Sequence, residues 1–91
     1  MEQDTVHIRI KFISIMQKHT GGRREVVMEL PADPQKAVDF IIKEFQIPWH
    51  GKLEKFVRVF INRERFPVFL ESGKKLTDED TIAFIPMSGG G

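Results

Sequence analysis

Ninety-one residues set the scale of one small domain, which buries roughly 60 to 65 % of the surface its unfolded chain exposes, and exclude a multidomain enzyme. Apolar residues at 41 % and charged residues at 30 % are ordinary globular usage, pointing neither to a disordered chain nor to a membrane protein. Fourteen Lys and Arg against 13 Asp and Glu leave a net charge of +1, too little for bulk attraction to nucleic acid, and the absence of cysteine removes disulfides, thiolate catalysis and cysteine-bound metal.

No apolar run approaches about 18 residues, and no basic segment leads into an apolar one at the start, so neither a spanning helix nor a signal peptide is expected. A cytoplasmic protein is the default. From Thr5 to Phe12 the chain alternates, with Val6, Ile8, Ile10 and Phe12 on one face and His7, Arg9 and Lys11 on the other, which reads as a half-buried strand. The polar stretch 17–24 around Gly21 and Gly22 predicts a hairpin loop, and Val26, Met28 and Leu30 in phase predict a second strand ended by Pro31.

Asp33 before Pro34 is a helix start, because a carboxylate accepts from the free N–H groups of the first turn and Pro needs no donor there. Ala37, Val38, Ile41, Ile42 and Phe45 then line one helical face, and Pro48 closes the segment. Trp49 is expected to pack at the end of this helix. Phe56 to Ile61 alternates again as a third strand, Phe66 to Leu70 reads as a short edge strand because Pro67 lacks a ladder donor, and Thr81 to Pro86 is the last strand. This order gives a two-layer α+β domain, a mixed four- to five-stranded sheet with one main helix packed on one face. The first and last strands are expected side by side and parallel at its centre, with a right-handed crossover.

Few side chains suggest chemistry of their own. His7, His19 and His50 are far apart with no ligand spacing between them, Ser88 has no evident base, and Asp78, Glu79 and Asp80 read as the turn before the last strand. The end of the sequence, Pro86-Met87-Ser88-Gly89-Gly90-Gly91, is different. Glycines in such a run contribute nothing to a core, so residues 1–86 are expected to form the domain and 87–91 a flexible tail. Without Cβ atoms the tail suits a narrow channel, and extended from Met87 it reaches at most roughly 16 to 18 Å.

The stretch from Leu76 to Gly91 resembles the C-terminal signature of the MoaD/ThiS family of ubiquitin-like sulfur carriers: a Leu, an acidic turn, an alternating strand, a Pro and a terminal Gly-Gly. Val57-Arg58-Val59-Phe60-Ile61-Asn62 is similar to the family's apolar strand ending in Asn. The likeness is greatest to the MoaD-like small subunit of molybdopterin synthase, whose longer loops this chain shares. The resemblance implies a β-grasp fold and a carrier that is not itself an enzyme. A ubiquitin-activating-type adenylyltransferase of the MoeB/ThiF kind would use ATP and Mg to adenylate the Gly91 carboxylate, with Gly90 completing the motif. Sulfur from a persulfide enzyme would then give a thiocarboxylate, delivered to a larger MoaE-like subunit for molybdopterin or to a thiazole synthase for thiamine. A protein modifier joined through Gly91 is the rival reading. Neither a bound cofactor or metal, nor a nucleic acid, nor a membrane is implied.

Phase suggests a partner face. Ile85 and Ile13 fall out of step with the core positions and are expected on the sheet face that the helix leaves uncovered, joined by Phe60 and by Phe66 or Phe69. They form either an apolar docking patch continuing to Met87 or a minor core under the loop 62–75. Arg58, Arg63, Arg65, Lys74 and Lys75 either ring that patch, steering an acidic partner, or are ordinary solvated surface.

Overall fold

The computed structural model describes residues 5–87. Strand β1 (Thr5–Phe12) pairs antiparallel with β2 (Glu25–Pro31), Ile8 facing Met28 and Ile10 facing Val26. Their connection is more structured than a plain hairpin loop. A 3-10 helix over Ser14–Thr20 buries Met16 completely and ends where Gly21 turns left-handed at φ 69, a conformation glycine adopts without strain. Thr20, buried in this loop, donates its hydroxyl to Arg23 O at 2.8 Å.

Helix α1 (Pro34–Glu44) starts as the sequence predicts. Asp33 Oδ1 accepts from Gln35 N at 2.9 Å and Lys36 N at 3.1 Å, satisfying two otherwise free donors. Pro34, Ala37, Val38 and Ile41 are buried, and the helix stops at Phe45, before Pro48. A loop through Trp49–Leu53 and a single helical turn, α2 (Glu54–Phe56), lead into β3 (Val57–Ile61).

After β3 the sequence reading fails over a short stretch. The edge strand is β4 (Glu64–Arg65), joined to β3 by a turn in which Asn62 has φ 59, whereas Phe66–Glu71 forms helix α3. Pro67 sits in the first turn of α3, where its missing N–H costs nothing. Phe66, Phe69 and Leu70 stand at the i, i+3, i+4 spacing of a helical face: Phe69 is buried in the main core and Phe66 packs against it.

Strand β5 (Thr81–Pro86) completes a sheet of order β2-β1-β5-β3-β4. It runs parallel to β1, with Ile10 beside Ile82 and Phe12 beside Phe84, and antiparallel to β3, with Val59 beside Phe84 and Ile61 beside Ile82. The expected pairing of first and last strands at the centre holds. Ile8, Ile10, Phe12, Val57, Val59, Ile61, Ile82 and Phe84 all join the buried residues of α1 in one core. Within it Phe12 stacks on Phe84 at 5.5 Å, while Phe45 and Trp49 meet these rings edge-on at 5.3 and 5.8 Å. Trp49 thus caps the core beyond the end of α1.

Candidate functional site

Alternation along central strands decides what lies on the uncovered face. Because Ile82 and Phe84 point to α1, Ala83 and Ile85 point away, and the registers place Lys11 and Phe60 on either side of Ala83 and Arg58 beside Ile85. Phe60 in turn faces Arg65 of β4. Neither Phe60 nor Ile85 joins the core cluster, and both are half-buried. No part of the loop 62–75 makes a second core here, since its aromatic residues belong to the main one.

Toward the end of β5 this face becomes an apolar collar. Ile13 N donates to Phe84 O at 3.2 Å on one side, and Met87 N donates to Phe56 O at 2.7 Å on the other. The chain therefore leaves the sheet held from both flanks. Ile13 and Met87 remain 41 and 38 % exposed at that point, and Ile15, in the 3-10 helix that follows Ile13, is 39 % exposed. Ile15 is the residue that sequence reasoning missed. Its signal was an isoleucine in a polar connection one position past Ser14, whose φ of 57 swings the chain out of β1.

Other expected members are elsewhere. Phe69 is only 4 % exposed, so it supports β3 from within the core and presents nothing to a partner; an i+3 helical position, not an alternating one, put it there. Arg63 follows Asn62 at the opposite end of β3 from Met87, where it shares an open depression of about 680 Å³ with Lys74, Lys75 and Asp80. Lys74 is engaged there by Glu64 at 3.5 Å and lies 5.8 Å from the centre of the Phe69 ring. Of the five basic residues, only Arg58 and Arg65 border the apolar face. Arg58 Nη1 donates to Lys55 O at 3.1 Å, which ties its guanidinium to the α2 turn that leads into β3. Gly90 and Gly91, with Ser88 and Gly89, lie outside the described residues.

The acidic turn has a structural role. Asp78 Oδ1 accepts from His7 N at 2.9 Å, and Asp80 accepts from Thr77 N and from Asn62 Nδ2, both at 2.8 Å. Among the described residues no helix is long and apolar enough to cross a membrane.

No protein-family model matches the sequence, and no curated protein does. Solved structures match in fold. Small archaeal modifier protein 1 from Methanosarcina acetivorans superposes with a TM-score of 0.72 at 16 % identity, over 97 % of this chain and 99 % of that one. The fold is the β-grasp. A chain of the BexX/CysO complex from Amycolatopsis orientalis matches with a TM-score of 0.65 at 24 % identity, over 92 % of this chain and 99 % of its own. CysO of Mycobacterium tuberculosis, described as an antigen, gives 0.64 at 19 %, over 89 and 99 %. All three β-grasp chains are covered almost end to end, so the match extends to the whole of this domain and not to a shared fragment.

Proposed function

We propose that this β-grasp chain is a sulfur carrier of the MoaD-like kind, a cosubstrate whose Gly91 carboxylate is activated and loaded by other proteins. The arrangement that supports the reading is the end of β5: the central strand brings Pro86 and Met87 to an exposed apolar collar, and three glycines follow in sequence. A carboxylate is a poor electrophile. Adenylation with Mg-ATP by an activating enzyme, releasing pyrophosphate, provides AMP as a leaving group; persulfide sulfur displaces it, and a thiol cleaves the acyl disulfide to leave the thiocarboxylate. The partner's preformed electrostatics and positioning supply the rate. This chain supplies a slender electrophile and a surface to hold, with molybdopterin formation on a larger synthase subunit as the destination and thiamine thiazole formation as the related alternative. That one similar chain comes from a two-protein complex fits such a role.

The test is the intact mass after incubation with ATP, a cognate activating enzyme and a persulfide donor. A gain of about 16 mass units, sulfur replacing one oxygen at the activated carboxyl, is expected, and no gain with a demonstrably active enzyme refutes the carrier reading. A second reading has its own support, since one fold neighbour is named a modifier protein: the activated tail is passed to lysines of other proteins. Higher-mass conjugates on a denaturing gel that vanish on deletion of Gly91 identify that outcome.

A further inference from the structure

β2 forms the margin of the sheet opposite β4, and it pairs with β1 over all seven of its residues, from Pro31 beside Thr5 to Glu25 beside Lys11. Phe12 N donates to Arg24 O at 2.8 Å, whereas Ile13 N turns the other way, to Phe84 O of β5. Backbone groups alternate along a strand, so Ile8, Ile10 and Phe12 face β2, and Met28 and Val26 face β1 in return. Glu25, Val27 and Glu29 therefore direct their N–H and C=O groups away from the sheet, and among the described residues nothing takes these groups up. All three residues are exposed, Val27 at 64 % more than any other large apolar side chain described. Helix α1 packs on the inner side of β2, where Val26, Met28 and Leu30 meet the core, and leaves the margin itself clear.

An exposed strand of this length is a template for another strand unless its sequence guards it. β2 has no lysine, no bulge and, before Pro31, no proline. Its guards are Glu25 and Glu29, on either side of Val27 on the uncovered face, and charges of one sign select among strands instead of forbidding all of them. β1 shows what these side chains accept: it sets His7 opposite Glu29, Arg9 opposite Val27 and Lys11 opposite Glu25, with Ile8 and Ile10 opposite Met28 and Val26. A strand on the far side of β2 meets the same two rows of side chains. Val26 and Met28 remain half-buried, so they keep apolar surface for a second neighbour. Glu25 is held by Arg9 at 3.0 Å, but Glu29 accepts only from Thr5 Oγ1, at 2.7 Å, and has no cation at ion-pair distance among the described residues.

We propose that the β2 edge is a strand-addition site for an extended segment of a partner protein that runs antiparallel to β2 and alternates apolar with basic residues, the pattern of β1. Arg23 and Arg24, exposed just before Glu25, confine the basic positions to those facing Glu25 through Glu29. A second copy of this chain is the wrong occupant, since antiparallel self-pairing centred on Val27 sets Glu25 against Glu29 in both halves. The added strand lies three strand spacings, roughly 14 Å, from β5. A partner bound there holds the domain by its side and leaves Met87 clear. The site does not depend on what the tail carries, so it stands or falls separately from the sulfur-carrier reading.

The test is a titration of the isotope-labelled protein with a capped nine-residue peptide alternating valine and lysine, followed by amide shifts and hydrogen exchange. Without peptide, the amides of Glu25, Val27 and Glu29 should exchange quickly and those of Val26, Met28 and Leu30 slowly. Saturation should slow the first set at least about tenfold, with shifts confined to β2 and the adjoining β1. N-methylating the lysine amides, which face β2 in antiparallel register, should weaken binding at least about tenfold, whereas N-methylating the valine amides, which face away, should not. Val27→Pro removes an N–H that β1 does not use, so it should keep the fold and lose the peptide. The double reversal E25K/E29K should transfer preference to the aspartate counterpart of the peptide. Equal binding of the lysine-methylated or the aspartate peptide by the unaltered protein, shifts centred on another surface, or no shifts at all overturns the proposal. Slowed exchange at Val27 that follows protein concentration without peptide assigns the edge to a second copy and overturns it as well.

Discussion

The carboxamide of Asn62 clasps the end of β3 to the start of β5: its Nδ2 donates to Asp80 Oδ1 at 2.8 Å while its Oδ1 accepts from Thr81 N at 3.1 Å. The same residue holds φ 59 at the β3–β4 turn, and its backbone N–H donates to Thr81 O at 2.7 Å. Asn is among the few side chains that tolerate this backbone region while still offering both a donor and an acceptor.

Replacing Asn62 separates these two roles. Asn62→Gly keeps the turn and loses the clasp, at a cost of roughly 1 to 2 kcal/mol. Asn62→Ala loses the clasp and adds left-handed strain, for a further cost of about 1 kcal/mol. Urea unfolding of both variants should order the stabilities native, Gly, Ala; an Ala variant as stable as the Gly variant would contradict the strain argument.

The aromatic centre of the core should be the most sensitive part of the fold. Phe84 touches both Phe12 and Trp49 and is fully buried, so Phe84→Ala is expected to cost about 3 to 5 kcal/mol. For a domain this small that is a large fraction of the typical stability. Because the chain has one tryptophan and it packs on Phe84, indole fluorescence reports the loss directly, and an emission spectrum and melting curve like those of the native protein would count against this view of the core.

The uncovered face should tolerate change in the isolated domain and not in its reactions. Ile13 is exposed and outside the core, so Ile13→Asp is expected to alter stability by no more than about 0.5 kcal/mol. Placing a carboxylate within an apolar contact should nevertheless slow activation at least about tenfold, read as pyrophosphate release by the activating enzyme. Unchanged kinetics would remove Ile13 from the proposed docking surface. Ile15→Asp tests the neighbouring collar position in the same way.

If residues 87–91 form the tail that the sequence leads one to expect, Gly90→Val should leave the melting temperature within about one degree. It should reduce thiocarboxylate formation by roughly two orders of magnitude if a narrow channel must admit the tail. Intact mass and thermal denaturation on the same sample check both halves of the statement.

The parts of this architecture that were legible in the sequence are those with a repeated pattern. Ile8, Ile10 and Phe12 against His7, Arg9 and Lys11 leave only one way to place β1, and the Asp33-Pro34 start anchors α1 to the residue. Ile85, Ile13 and Phe60 could be assigned to the outer face because alternation carries across paired strands. The segment 62–75 could not be read in this way. Five residues with a proline fit an edge strand or one turn and a half of helix equally well, and only the packing of Phe69 into the core distinguishes them. The position of Arg63, at the opposite end of β3 from Met87, followed from that same turn. Ile15 escaped notice because a 3-10 helix carries too few residues to display a period.

The placement of β5 also sets how the domain answers to force. Since β1 and β5 are parallel neighbours, tension applied between the start of β1 and the end of β5 pulls the two strands past one another, so that the bonds between them must slip together instead of opening one after another as in a zip. On its other side β5 is stitched to β3 along its whole length from Ile82 to Pro86. Tension applied at Met87 therefore meets a firm anchor: the strand that carries it cannot be drawn away without shearing against both of its neighbours at once.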